Sequence, residues 1–122
     1  MKQIQDWLKL GDYELQAELM RIPYIQKNHP NVLETYGQIP TPILELVLNR
    51  LLLQDFSLNI VSDCGDGYEL VLLGLGKWRL PDKNGNKLLY RAIAQGKYQT
   101  LYECMARAVL VLYKFIMMHK RE

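Results

Sequence analysis

Acid–base chemistry near neutral pH falls first to histidine, and this chain has two, His29 and His119. An imidazole works as a general base when a nucleophile lies beside it and a third group orients it. No serine sits in a nucleophile-elbow sequence, so hydrolase chemistry has no local signature. His29 falls among turn-forming residues, and His119 closes an apolar run, where positive charge complements the C-terminal end of a helix dipole. Both read as surface histidines. Asp63-Cys64-Gly65-Asp66-Gly67 brings two carboxylates close together, as a calcium loop does, but lacks the third acidic ligand and the closing glutamate of an EF-hand. It reads as a hairpin turn, and nothing near Cys64 lowers its thiol pKa. Leu73-Gly74-Leu75-Gly76-Lys77 has the glycines and lysine of a phosphate loop, yet Trp78 stands where Ser or Thr would bind magnesium, so a strand end is the better reading. No catalytic residue, metal site or cofactor is expected.

The charge distribution says more than any motif. From Met1 to Glu69 there are ten acids and five bases; from Leu70 to Glu122 there are three acids and ten bases. Within the basic half, Lys77, Arg79, Lys83, Lys87, Arg91 and Lys97 alternate with Trp78, Tyr90 and Tyr98. These nine residues are the candidate binding surface. Basic groups meet phosphate and aromatic rings stack on exposed bases, so nucleic acid is one partner class. The competing reading is that basic strands face the acidic helices of the same domain, since only clustering on one exposed face makes a nucleic-acid footprint.

The elements that must position these residues follow from spacing. Leu15, Leu19 and Ile22 recur at helical spacing behind a capping Asp12, which predicts a helix over 12–22 that Pro23 ends. Residues 26–38 are rich in turn formers and read as a surface loop, with room for a turn of helix at Val32-Leu33-Glu34. Thr41-Pro42 starts a second helix, running to about Gln54. Ile43, Leu44, Leu46, Val47, Leu48, Leu51, Leu52 and Leu53 cover nearly its whole circumference, more than one buried face needs. Ser57–Val61 and Tyr68–Leu73 read as a β-hairpin, and Asp82–Asn86 as a second turn. Lys87–Ile93 fits a third strand, though Leu88, Leu89, Ala92 and Ile93 suit a helical turn as well. Thr100 and Glu103 form a capping box ahead of Leu101, Met105, Ala108, Leu112 and Ile116, which predicts a final helix from Leu101 to Met118.

These elements add up to an α+β fold: a small antiparallel sheet of about three strands packed between α-helices, in a single domain spanning residues 1–122. A chain of 122 residues with 49% hydrophobic and 23% charged residues has enough apolar material for one core. Two cysteines make no disulfide framework, and the polar start Met1-Lys2-Gln3-Ile4-Gln5-Asp6 is no export signal, so a cytoplasmic setting is expected. The apolar run Ala108–Tyr113, broken by Lys114, is short of the roughly 20 residues a bilayer span requires and reads as a buried helix with no membrane role.

The segment Gly11-Asp12-Tyr13-Glu14-Leu15, the hairpin bearing Tyr68 and Trp78, and the closing Ala106-Arg107-Ala108-Val109-Leu110 together resemble the phage ABA-sandwich family. The ending from Arg107 to His119, with Phe115-Ile116-Met117-Met118, is most similar to the closing helix of its NinX-like members. The resemblance implies a small sheet between helical layers, a phage or prophage origin in a bacterial host cell, and no catalytic residue. The expected function is non-catalytic binding of a host or phage protein, with inhibition of a bacterial defence enzyme, as anti-CRISPR proteins do, as one form. The surplus apolar helix surface points to a homodimer. The alternative is a nucleic-acid-binding accessory protein that uses the basic, aromatic segment.

Overall fold

The computed structural model of the protein describes residues 3–62, 65–79, 83–85 and 90–119. The elements run α1 (Ile4–Leu8), α2 (Asp12–Leu19), α3 (Pro23–Asn28), α4 (Val32–Tyr36), α5 (Thr41–Leu52), β1 (Phe56–Ser62), β2 (Tyr68–Gly74), β3 (Arg91–Tyr98) and α6 (Leu101–His119). This is the expected single α+β domain with a three-stranded antiparallel sheet, in the order β1-β2-β3.

The molecule is organised around α6. Every residue from Ala106 to Leu112 is buried, so two turns of the helix are enclosed on all sides. Apart from Arg107, the enclosed residues are apolar around the whole circumference, as burial on all sides requires. The sheet covers one side of it, α1 and α5 lie along its flanks, and α2 packs on it as well. Its first turn is held as the capping box predicts: the Glu103 N–H donates to Thr100 Oγ1 at 3.1 Å. The Glu103 carboxylate reaches one residue further back than expected and accepts the Gln99 N–H at 3.1 Å.

Period-two alternation places Phe56, Leu58, Ile60, Leu70, Leu72, Ala94 and Tyr98 on the helix-covered face of the sheet, and Asn59, Val61, Val71, Leu73, Gln95 and Lys97 on the other. The β1–β2 hairpin lies where alternation predicts it. The third strand is displaced from its predicted position: it is Arg91–Tyr98 rather than Lys87–Ile93, and residues 86–89 lie outside the described residues. Ala, Gln and Gly are weak strand formers, so Ala94-Gln95-Gly96 sends no strand signal, and pairing with β2 supplies what propensity lacks. Gly96 has a further reason: a Cβ there would come within 2.8 Å of Tyr98 Oη, because the Tyr98 ring lies back over it.

Two other expectations change. Pro23 does not simply stop a helix; α2 ends at Leu19 and Pro23 is the first residue of α3. Proline forces its predecessor out of the helical region, so Ile22 is extended, and the next helix starts afresh. The predicted loop over 26–38 contains the end of α3 and then α4, which realises the helical turn foreseen at Val32-Leu33-Glu34 and ends at Gly37 with φ 76°. These helices are too short to hold alone and depend on burial of Ile25 and Val32, with Ile39 buried just after them. α1 lies outside the predicted elements, although Ile4, Trp7 and Leu8 stand at helical spacing and Asp6 Oδ2 accepts the Gln3 N–H at 2.8 Å.

The apolar wrap of α5 is largely used up within the domain. Leu44, Val47, Leu48 and Leu51 are buried and Ile43 and Leu52 half-buried, whereas Leu46 is 41% exposed and Leu53, just past the helix, 85% exposed.

One charge sits inside this packing. Arg107, in the enclosed stretch of α6, is 6% exposed. Its Nε donates to the Leu8 carbonyl at 3.2 Å, Nη2 to Leu10 at 2.8 Å and Nη1 to Glu103 at 3.3 Å. The guanidinium lies 4.4 Å over the Tyr98 ring, and Tyr98 Oη donates to the same Leu8 carbonyl at 2.9 Å. Leu8 closes α1, so these donors satisfy carbonyls that the helix end leaves without partners. Arg107→Met keeps the volume and strands the Leu10 carbonyl, and is expected to cost about 3 kcal/mol. In urea denaturation the midpoint should fall with the slope unchanged; a loss under about 1 kcal/mol would show that water replaces the guanidinium at no great cost.

Candidate functional site

The nine residues of the predicted binding surface divide into separate groups. The 3-10 turn Gly76–Trp78 follows β2 and carries Lys77, exposed, with Nζ 4.9 Å over the Trp78 ring. Trp78 is half-buried: it stacks on Phe56 at 5.2 Å, meets Phe115 edge-on at 5.2 Å, and donates from Nε1 to the Gln54 carbonyl at 2.6 Å. Arg79 is tied to the same turn through Nε and the Gly76 carbonyl at 3.1 Å. Arg91, at the start of β3, places its guanidinium 5.1 Å over Phe115. Lys97 stands on the opposite face of the sheet, and Tyr98 is committed to Leu8 and Arg107 under the helices. Lys83 and Tyr90 are exposed, and Lys87 lies outside the described residues. The fold thus gathers Lys77, Trp78, Arg79 and Arg91 near Phe115 and sets Lys97 and Tyr98 elsewhere.

Local geometry explains the gathering. Gly74 ends β2 on the helix-covered face, and a Cβ there would lie 2.8 Å from the Trp78 Cβ and 3.2 Å from Ile93 Cδ1. Gly76 has φ 50° and opens the 3-10 turn. The glycines that resemble a phosphate loop therefore let a tryptophan fold back onto the sheet end. The last turn of α6 completes the cluster: the His119 ring lies 4.2 Å from that of Phe115 and 5.8 Å from that of Trp78, and its Nδ1 donates to the Phe115 carbonyl at 2.9 Å.

Beside this aromatic floor is a groove of about 550 Å³, lined by Leu51, Trp78, Tyr113, Ile116 and Met117, with Lys77 and His119 at its margin. Met117 and Met118 are 44% and 47% exposed at the end of α6. The charge and aromatic pattern missed Tyr113, Ile116 and Met117. The signal available for them was apolar spacing that continues past Lys114, after the core has already been filled by residues 106–112.

A second cleft, of about 640 Å³, opens between α2, α4 and the start of α6. A closed ring of hydrogen bonds lies at it. Gln16 Nε2 donates to Tyr102 Oη at 2.9 Å, Tyr102 Oη donates to the Ile39 carbonyl at 2.6 Å, and the Ile39 N–H donates to Gln16 Oε1 at 2.9 Å. These polar groups satisfy one another and tie α2, the segment before α5 and α6 together, so they serve the fold. Asp12, Tyr13 and Glu103 line the cleft.

The remaining chemistry-bearing side chains are dispersed. Cys104 is buried, with Sγ 4.0 Å from the Tyr68 carbonyl, and burial, helped by the nearby Glu103 charge, holds its thiol above the usual range. Cys64 lies outside the described residues. His29 is half-buried beside the Tyr24 ring at 6.2 Å. Among the described residues no three His, Cys, Asp or Glu side chains come together as a metal site would need, and no helix is long and apolar enough to cross a membrane.

The chain matches no family model, and comparison with curated proteins and with solved structures finds no match either.

Tyr98 and Tyr102 join Cys104 as groups whose protons the fold holds more tightly. Burial raises both phenols above their ordinary value of 10.0, although the Arg107 charge opposes the shift at Tyr98 and the Gln16 hydrogen bond opposes it at Tyr102. The unfolded chain gives up these protons first, so the folded state is favoured in full below pH 10 and loses that advantage as pH rises through the folded values. Stability measured by denaturation should therefore decline above pH 10. Tyr98→Phe and Tyr102→Phe should each lose about 1 kcal/mol at neutral pH and show a shallower alkaline decline. An unchanged decline would assign the loss to other groups.

Proposed function

We propose that the chain is a non-catalytic interaction protein that binds another protein at the groove beside Trp78. The observation that carries this reading is the exposed apolar end of α6 over a rigid aromatic floor. Met117 and Met118 stand open to solvent, while Phe56, Trp78 and Phe115 are locked against each other beneath. Methionine is unbranched and adapts to a partner, and aromatic and methionine side chains are the types enriched in interface centres.

Lys77 lines the groove and gives it a basic group. The partner that fits is a protein segment with apolar anchors and acidic flanks, because opposite charge steers the encounter and apolar burial holds it. The resemblance to phage ABA-sandwich proteins supports a bacterial host protein as that partner, and occlusion of a defence enzyme is one form such binding takes. The division of the basic residues between two faces of the sheet favours protein over nucleic acid as the ligand, since a phosphate-tracking surface needs them side by side.

Affinity capture from nuclease-treated bacterial lysate, run in parallel with wild-type protein and Met117→Glu, tests the reading. A protein retained by the wild type should bind Met117→Glu roughly thirtyfold more weakly, the equivalent of about 2 kcal/mol for an anchor residue. Equal retention by both would move the interface away from the groove. Loss of all partners after nuclease, with binding that falls steeply with salt, would replace protein with nucleic acid.

A further inference from the structure

The two outer strands of the sheet are built differently. β3 carries Arg91 and Lys97, contains Gly96, has one extra residue at Ile93 between the partners of Leu72 and Leu73, and has α1 packed against it. Charges, irregular register and a covering element are the devices by which an edge strand avoids pairing with another chain. β1 has neither charge nor irregular register, and α5 and α6, which pack against it, make no hydrogen bond to its backbone among the described residues. Phe56-Ser57-Leu58-Asn59-Ile60-Val61-Ser62 contains no charged residue, no proline and no glycine, and it pairs with β2 over all seven positions without a shift.

Alternate residues of an edge strand aim their N–H and C=O groups away from the neighbouring strand. Among the described residues, no hydrogen bond beyond the β2 ladder reaches the β1 backbone. The strand also leaves apolar surface open: Val61 is 59% exposed, and Leu58 and Ile60 are only half-buried on the face where Leu70 and Leu72 are fully covered.

We propose that β1 pairs antiparallel with β1 of a second copy of this chain, about a two-fold axis at Asn59, so that two sheets join into one. The sequence of the strand selects a second copy. Antiparallel pairing centred on Asn59 sets Leu58 opposite Ile60 of the second copy on the helix-covered face, where apolar residues meet, and Ser57 opposite Val61 on the other, and each residue stays on the face it already occupies. Asn59 meets its own counterpart, and an amide has both donor and acceptor to exchange with an identical group. Like charges cannot oppose each other across this axis, because the strand has none. The interface lies on the sheet edge, whereas the surplus apolar helix surface that pointed to a homodimer is, on α5, largely used up within the domain. It stands independently of the groove and its partner.

Light scattering coupled to gel filtration, over a wide range of concentration, should give twice the chain mass at the high end. Asn59→Lys, an exposed substitution that sets two like charges opposite each other, should stay monomeric with an unchanged circular dichroism spectrum, and Gln95→Lys on β3 should dimerise as the wild type does. A wild type monomeric throughout, or a dimer that Asn59→Lys leaves intact, would overturn the proposal. Amide hydrogen exchange of the wild type needs no substitution: protection that grows with concentration at residues 56–62 supports the pairing, and growth confined to another element contradicts it.

Discussion

A guanidinium buried in the middle of a helix is the constraint on which the rest of this structure depends. Arg107 has water on almost no side, and its donors end on the carbonyls of Leu8, Leu10 and Glu103. An arginine cannot shed its charge, so the carbonyl ends of α1 have to be where they are for α6 to be enclosed at all. Tyr98 serves the same site twice, by its ring beneath the guanidinium and by its hydroxyl on Leu8. One side chain thereby fixes the spacing of α1, β3 and α6, elements far apart in the chain. Further along α6, Lys114 repeats the arrangement at lower cost, 3.2 Å from the Glu18 carboxylate and 4.4 Å over the Trp7 ring, which links α2 and α1 to the same helix.

The enclosure of α6 ends after Phe115, and the functional reading begins there. Past that residue Ile116 still packs against the core, whereas Met117 and Met118 are left open to solvent. The floor beside them exists because Gly74 has no side chain: with a Cβ at that position Trp78 could not fold back against Phe56 and Phe115. A packing requirement at the end of a strand and the length of one helix together create an apolar groove with Lys77 in its lining.

The sheet adds a second kind of surface, made of main chain. Its helix-covered face is complete over β2 and thins toward β1, since α6 cannot be equally close to three strands and α5 covers only part of the remainder. The edge on the β3 side is defended by charge and irregularity, and the edge on the β1 side is not. That inequality comes from residue choice along two strands of similar length, and each strand alone would pass as ordinary.

The sequence by itself determined the class of fold and the elements whose signals are local: the Thr100 cap and enclosed run of α6, the start of α5, and the β1–β2 hairpin with its alternation. It also determined that a basic, aromatic half follows an acidic one. Only the tertiary structure decided which of those residues share a surface. Trp78 and Tyr98 look alike in the sequence as exposed aromatics among lysines, yet one forms the floor of a groove and the other supports a buried arginine. β3 and the short helices α1 and α3 were likewise settled by packing, because Ala94-Gln95-Gly96 and five- or six-residue helices have too little intrinsic preference to form alone. Local pattern records what a segment can become, and the partners that make it so lie on the other side of the core.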